Sequence, residues 1–278
     1  MKKNFFYGGE KSMKLITFSS IKRGTGKTTH AILMANYLGR AGYKVLVIDM
    51  DLNNAASFYY AGPEWEYHIS QLNIATALGR SDNNLKEYVI TSEKLNVDFI
   101  ASSLYLIDLR GVSEKRLSQL IPSLENEYDF VFIDTQPTYD NLVLNAYNAS
   151  DLIITPANLC VFDYNTAAFL RNKLATETDK ILNWYITING YNARYENADT
   201  GIQKEYLKYF MDDFSLTPCQ TWFPWTSTVR KITDQNLYLT ADKLQNMYQT
   251  TINPKLFNAV HEMASWIAGE NIPRVEFF

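Results

Sequence analysis

The stretch "SIKRGTGKTTH" (Ser20–His30) holds two lysines, Lys22 and Lys27, on either side of a pair of glycines. Its second half has the residue types that a phosphate group needs. Gly24 and Gly26 let the backbone approach an anion closely, and the N–H groups at the start of a following helix point at it. Lys27 would bring its charge to the β- and γ-phosphates, and the Thr28 hydroxyl can ligate Mg2+. Thr25 and Thr29 fill the remaining loop positions. The strict GxxxxGK[ST] spacing is not met, because Ile21 stands where its first glycine belongs. Lys22 and Arg23 add two cations to a loop that already has its phosphate lysine.

Such a loop must be fed by a strand and followed by a helix. "KLITFSS" (14–20) is the apolar run, and "TTHAILMANYLGRAG" (28–42) has helical spacing ending at a glycine. Further apolar strands are expected at "YKVLVIDMD" (43–51), "NVDFIAS" (96–102), "DFVFIDTQP" (129–137), "DLIITPA" (151–157) and "NWYITING" (183–190). Helices are expected near 113–126, from about 139 and near 163–176. This alternation predicts an α/β domain with a mostly parallel central sheet and helices on both faces. Strands apolar along their whole length fit burial on both sides. Ligands in such sheets collect at the carboxyl ends of the strands. Here those ends carry Ser20–Thr28, Asp49, Asp51, Asp134 and Asn189.

The 278 residues carry a formal net charge of −4, so any contact with nucleic acid must come from a local basic patch. Cys160 and Cys219 form no CxxC pair, which fits a reducing cytoplasm and argues against a metal or iron–sulfur site built on one chain. No apolar run is long enough to span a membrane. Residues 1–12 read as a tail before a single domain over 13–278.

"KRGTGKTT" resembles the deviant Walker A motif KGGxGKTT of the ParA/MinD family of ATPases. "VLVIDMDLNNAAS" is similar to the family's strand ending in DxD, and "YDFVFIDTQP" to its Walker B and switch II segment. "NASDLIITPAN" resembles the stretch that follows. "NIATALGRSDNNLKEYVI" resembles the helical insert of the partition branch, and "ITINGYNARY" and "FPWTSTVRKI" resemble the late segments around adenine. The likeness runs in order over roughly 13–268.

The resemblance implies a P-loop NTPase-like fold that uses ATP and Mg2+. Two ATP-bound subunits would stack face to face, and Lys22 would cross to the phosphates of the partner's ATP, as an arginine finger does. Asp134 would hold Mg2+ through water, and Asp51 would orient and deprotonate the attacking water. Asp49 reads as a supporting strand-end residue. Asn189 and the backbone at Pro224 are candidates for adenine recognition. Arg23 replaces a family glycine, and a positive φ there would cost on the order of 1–2 kcal/mol.

Several branches of the family are disfavoured. Thr135 stands where the iron proteins place a cluster cysteine, the ending "NIPRVEFF" makes a poor membrane helix, and the tyrosines are dispersed rather than clustered at a terminus. The expected function is therefore a cytoplasmic, nucleoid-associated partition ATPase. It would dimerise on ATP, bind double-stranded DNA without sequence preference and be reset by a ParB-like centromere-binding protein. Arg194, Arg230 and Lys231 are the chosen DNA-contacting cations, with Lys204, Lys208 and Lys255 also available. The alternatives are an ATPase that positions a protein cargo and a poorly hydrolysing nucleotide-gated binding module.

Overall fold

Val45 and Val47 face one apolar layer, and Leu46 and Ile48, between and beyond them, face another. The same split by alternate residues recurs at Phe130 and Phe132 against Val131 and Ile133. Strands that bury both faces this way belong to a sheet covered on both sides. The computed structural model describes residues 12–61, 70, 72–92, 96–192, 201–226 and 253–275. Its strands are β1 (Lys14–Phe18), β2 (Val45–Met50), β3 (Ile90–Ser92), β4 (Val97–Ile100), β5 (Phe130–Thr135), β6 (Leu152–Ala157) and β7 (Trp184–Ile188). They form one sheet in the order β3-β4-β2-β5-β1-β6-β7, parallel throughout except for the antiparallel β3–β4 edge.

The helices are α1 (Lys27–Arg40), α2 (Ala55–Ala61), α3 (Ile74–Gly79), α4 (Arg116–Leu120), α5 (Asn141–Ala149), α6 (Val161–Glu177), α7 (Ile202–Asp213) and α8 (Pro254–Ala268). One face of the sheet packs on α1, α2 and α8 through Ile32, Leu33, Tyr59, Val260 and Met263. The other packs on α3, α4 and the inner side of α5 through Ile74, Leu78, Leu117 and Leu142. A third apolar cluster joins α5, α6 and α7 to β6 and β7.

The expected parallel α/β architecture is therefore the observed one, with two local differences. The helix expected near 113–126 is only α4, which gives way to a 3-10 turn over Ile121–Leu124. Pro122 lacks the N–H that an α-helix would use there. The segment resembling a helical insert yields α3, a short 3-10 turn and then β3. Its Asn84 side chain accepts from the Lys86 amide, an Asx turn that competes with helix.

Register decides which residues meet at the strand ends. Asp134 on β5 pairs with Phe18 at the end of β1 on one side and with Asp49 of β2 on the other. The loop leaving β1 thus begins beside two strand-end carboxylates.

Helix α1 is fastened under that loop by polar groups on its buried side. His30 is fully buried, its ring centroid 4.2 Å from that of Phe223 and 5.8 Å from that of Phe18. Its Nδ1–H donates to the carbonyl of Gly26 at 2.8 Å, and its Nε2 has no partner. Two residues after α1's midpoint, Asn36 donates to the Tyr59 hydroxyl at 2.7 Å and accepts from that of Tyr60 at 3.1 Å. These bonds tie α2 to α1.

Burial holds the His30 pKa down to about 4, against a smaller opposing pull from the Gly26 carbonyl. The unfolded chain therefore takes up this proton first as pH falls below about 6.5. The stability that neutral His30 confers is complete above that pH and is lost progressively down to about 4. For a shift of this size the loss is about 3 kcal/mol. Urea unfolding of the wild type and His30→Gln at pH 7 and pH 4.5 should show the wild type losing more stability than the variant. Equal losses would place the proton elsewhere.

Candidate functional site

Helix α1 begins without a side-chain cap. Its N-cap residue is Gly26 at φ 102°, and no acidic residue lies in its first turn. The first N–H groups are left for a ligand, and the helix dipole favours an anion there. Gly24 also has a positive φ of 78°, whereas Arg23 between it and Lys22 does not fall in the left-handed region. Arginine in place of the family glycine therefore costs no backbone strain, and its side chain is exposed.

Lys27 is 6% exposed, and its Nζ lies 3.4 Å from the carbonyl of Lys22. Burial lowers its pKa, with Arg23 adding to that, while Asp134 and Asp51 oppose it. Asp134 is fully buried, and neither of its oxygens has a hydrogen-bond partner. Burial pushes its pKa well up, and Asp49 adds to the effect; Thr28 and Lys27 oppose it. The Thr28 hydroxyl thus lies near enough to favour the charged form without closing a hydrogen bond of good geometry. Thr29 follows it in the first turn of α1, half-buried.

The other two carboxylates are differently employed. Asp49 accepts from the Ser57 amide and hydroxyl at 2.8 and 2.7 Å and from the Asp51 amide at 3.0 Å. Burial still raises its pKa to about 6, the Ser57 bonds opposing. Asp49 is thereby fixed as the internal support of the loop after β2. Asp51 keeps one oxygen for Asn53, whose amide and side chain reach Oδ1 at 2.9 and 2.8 Å. No hydrogen bond among the described residues engages its second oxygen in this arrangement of buried side chains. The carbonyl of Asp51 accepts from the Ser102 hydroxyl at 2.8 Å, which ties the loop to the end of β4.

On the opposite flank, Asn189 donates from Nδ2 to the carbonyl of Thr25 at 2.7 Å. A side chain on Gly26 would strike that same amide, since a Cβ there would lie 2.8 Å from it. Pro224 pairs with Tyr191 in an isolated parallel bridge just beyond β7. The geometry therefore gathers Thr25–Thr28, Asp51, Asp134 and Asn189 around one loop, with Pro224 at its rim.

Lys22 is turned away from that centre. Its Nζ meets Asp163 Oδ1, lies 3.8 Å from Cys160 Sγ and sits 5.8 Å over the Phe162 ring. The hydrogen bond to Asp163 raises its pKa. Asp163 is the third residue of α6, and its Oδ2 accepts from the Asn158 amide at 2.7 Å and side chain at 3.0 Å. Sequence reasoning passed over Asp163, although an acid three positions into a helix is a recognisable capping signal. It also passed over His30 and Ser57, which carry no motif. Arg194, Arg230 and Lys231 lie outside the described residues.

The donor set fits a divalent cation in one manner only. No group of three carboxylate, imidazole or thiolate ligands converges among the described residues. A hydroxyl, one orphaned carboxylate and an uncapped helix start suit a cation that brings phosphate oxygens and water with it.

The family described as an AAA domain matches residues 13–186. Soj, a sporulation initiation inhibitor protein of Bacillus subtilis, is 26% identical over 72% of this chain and 81% of its own length. PomZ, a cell division protein of Myxococcus xanthus, is 27% identical over 69% of this chain, and the match spans 62% of PomZ. An uncharacterized protein of Methanocaldococcus jannaschii is 25% identical over 94% of this chain and all of its own. Among solved structures, a plasmid partition protein from Borrelia burgdorferi superposes with a TM-score of 0.64 at 22% identity, covering 84% of this chain and 98% of that one. Cyanothece McdA, in a complex with ATP, gives 0.72 at 16% identity, covering 93% and 97%. With its phosphate loop, its strand-end carboxylates and a family match over most of the sheet, the chain belongs to the ParA/MinD type of P-loop ATPases.

Proposed function

We propose that this chain is a Mg2+-dependent ATPase that dimerises on ATP, holds DNA in that state and is reset by hydrolysis. The observation that carries the ATPase reading is the buried, unpartnered Asp134 facing Lys27 at an uncapped helix start. Each of these groups is poorly satisfied alone, and a magnesium nucleotide satisfies all of them.

The roles follow from position. The α1 amides and Lys27 hold the phosphates, and the Thr28 hydroxyl and Asp134, through water, would hold Mg2+, which supplies charge neutralisation at the reacting phosphoryl group. Asp51 has an oxygen to spare, and its backbone is fixed on both sides, its amide donating to Asp49 and its carbonyl accepting from Ser102, so it can orient a water and accept its proton. Lys22 must leave Asp163 to reach a neighbouring subunit's phosphates. Its cation is then added only when two subunits meet, where water is excluded and charge acts most strongly. The dimer and a ParB-like stimulating partner are supported by likeness to the partition branch.

Replacing Lys27 by Ala should abolish binding of labelled ATP, because this is the lysine that the α1 start presents to the phosphates. Unchanged affinity in the variant would remove the phosphate-loop assignment.

The resting position of Lys22 makes a second expectation. Asp163→Asn keeps an acceptor for the Asn158 amide but drops the charge, so the ATP-dependent dimer should form at severalfold lower protein concentration, in keeping with an ion pair whose lysine is one-third exposed and whose aspartate is buried. Lys22→Ala should bind ATP and lose hydrolysis. Sedimentation and phosphate release read these two effects. Wild-type turnover in Lys22→Ala would reduce Lys22 to a surface cation.

DNA retention separates the two readings of cargo, since the relatives include both a plasmid partition protein and a cell division protein. Gel shifts over a salt series should show duplex retained with ATP and lost with ADP. The ATP state should fall off more steeply with salt, at about 0.9 in the log–log slope per phosphate neutralised. Arg230→Ala with Lys231→Ala should flatten that slope. Failure to retain duplex at low salt would favour a protein cargo.

A further inference from the structure

Trp225 is 80% exposed, the highest value among the exposed large apolar side chains described. Tryptophan is rarely left in water in this way, because its large apolar surface gains most from burial. Its backbone is nevertheless firmly placed. The Trp225 amide donates to the Tyr191 carbonyl at 3.1 Å, the Tyr191 amide to the Phe223 carbonyl at 2.9 Å and the Phe223 amide to the Ile188 carbonyl at 3.2 Å. Phe223 itself is buried against His30, beneath the phosphate loop. An exposed indole on a pinned backbone is a platform rather than a fraying end.

What lies under it is a glycine. Gly190 has φ 66°, and a Cβ built there would come 3.6 Å from Trp225 Cε3 and 2.9 Å from Asn158 Oδ1. No side chain can stand between the indole and the end of β7. One residue earlier, Asn189 is bonded to the phosphate loop. Trp225 therefore stands at the rim of that loop, on its β6–β7 flank.

The strand order then selects the occupant. Asp134 and Asp49 lie on β5 and β2, on the other side of β1 from β6 and β7. A phosphate chain with its metal end toward those carboxylates must leave its nucleoside toward β6 and β7. We propose that Trp225 stacks its indole on the base of the bound nucleotide and so sets much of the affinity for it. The inference rests on the nucleotide reading above. It assigns to Trp225 a contact with the base that the sequence placed on Asn189 and on the neighbouring Pro224 backbone.

Stacking of a base on an aromatic ring is lost on truncation to alanine and largely kept by another flat ring. The test uses ADP and pyrophosphate, which lack the γ-phosphate needed for dimerisation, with the full chain. Trp225→Ala should weaken ADP tenfold or more by calorimetry, while pyrophosphate, which has no base, should bind as it does to the wild type. Trp225→Phe should stay within about threefold of the wild type for ADP. The wild-type indole emission missing from Trp225→Phe should be quenched by ADP and not by pyrophosphate. Equal ADP affinity in Trp225→Ala and the wild type overturns the proposal. So does a defect seen only in ATP-dependent sedimentation, which would make the indole a contact with a second copy of the chain. If the wild type binds neither ADP nor pyrophosphate, the phosphate-loop reading itself fails, a result distinct from a failure at Trp225.

Discussion

The desolvated carboxylate of Asp134, held by register between the end of β1 and Asp49, sets the terms for the whole phosphate face. A buried carboxylate without donors is costly unless opposite charge is close. Lys27 is the nearby amine, and the pull of Asp134 and Asp51 only partly opposes the effect of burial on it. Around this pair the fold spends its hydrogen bonds on keeping other groups away. Asp49 is saturated by Ser57 and the Asp51 amide, and His30 faces the Gly26 carbonyl from below. The chain thus holds a buried carboxyl and a buried amine, each pushed by burial toward its neutral form, in a state that a phosphate and a cation would relieve.

That arrangement also explains which parts of the molecule could be read from sequence. The parallel sheet was legible because β2 and β5 are apolar on both faces, and only burial on both sides produces such runs. The loop was legible because glycine at a positive φ is a chemical necessity at Gly24 and Gly26. Asn189 was named for a base and is found bonded to the loop that holds phosphates, a contact across 164 positions that local spacing cannot register. The antiparallel edge strand β3 was not foreseen, since three residues carry too little pattern. Asp163 was missed for a related reason, because its significance lies in a cation 141 positions away.

Position within the loops after β2 and β5 is supported from behind by contacts to neighbouring helices. Asn36 on α1 grips Tyr59 and Tyr60 on α2, and α2 follows directly from the Asp51 loop. Asp140 caps α5 and also accepts from Gln136, two residues beyond Asp134. Each carboxylate therefore sits on a segment whose far end is bonded to another element, so a ligand pulling on one would displace a helix and not only a side chain.

The resting place of Lys22 has a consequence for kinetics. If Lys22 acts across a dimer as proposed, a subunit whose own lysine is engaged with Asp163 would complete its site only with a cation from another copy. On the proposed reading, turnover at low concentration is second order in protein, rising with the square of local density rather than in proportion to it. Such an enzyme is nearly silent when dispersed and active where it is gathered. Crowding on a surface would then act as a switch without any change in the protein's chemistry, and a gradient of protein would become a steeper gradient of hydrolysis.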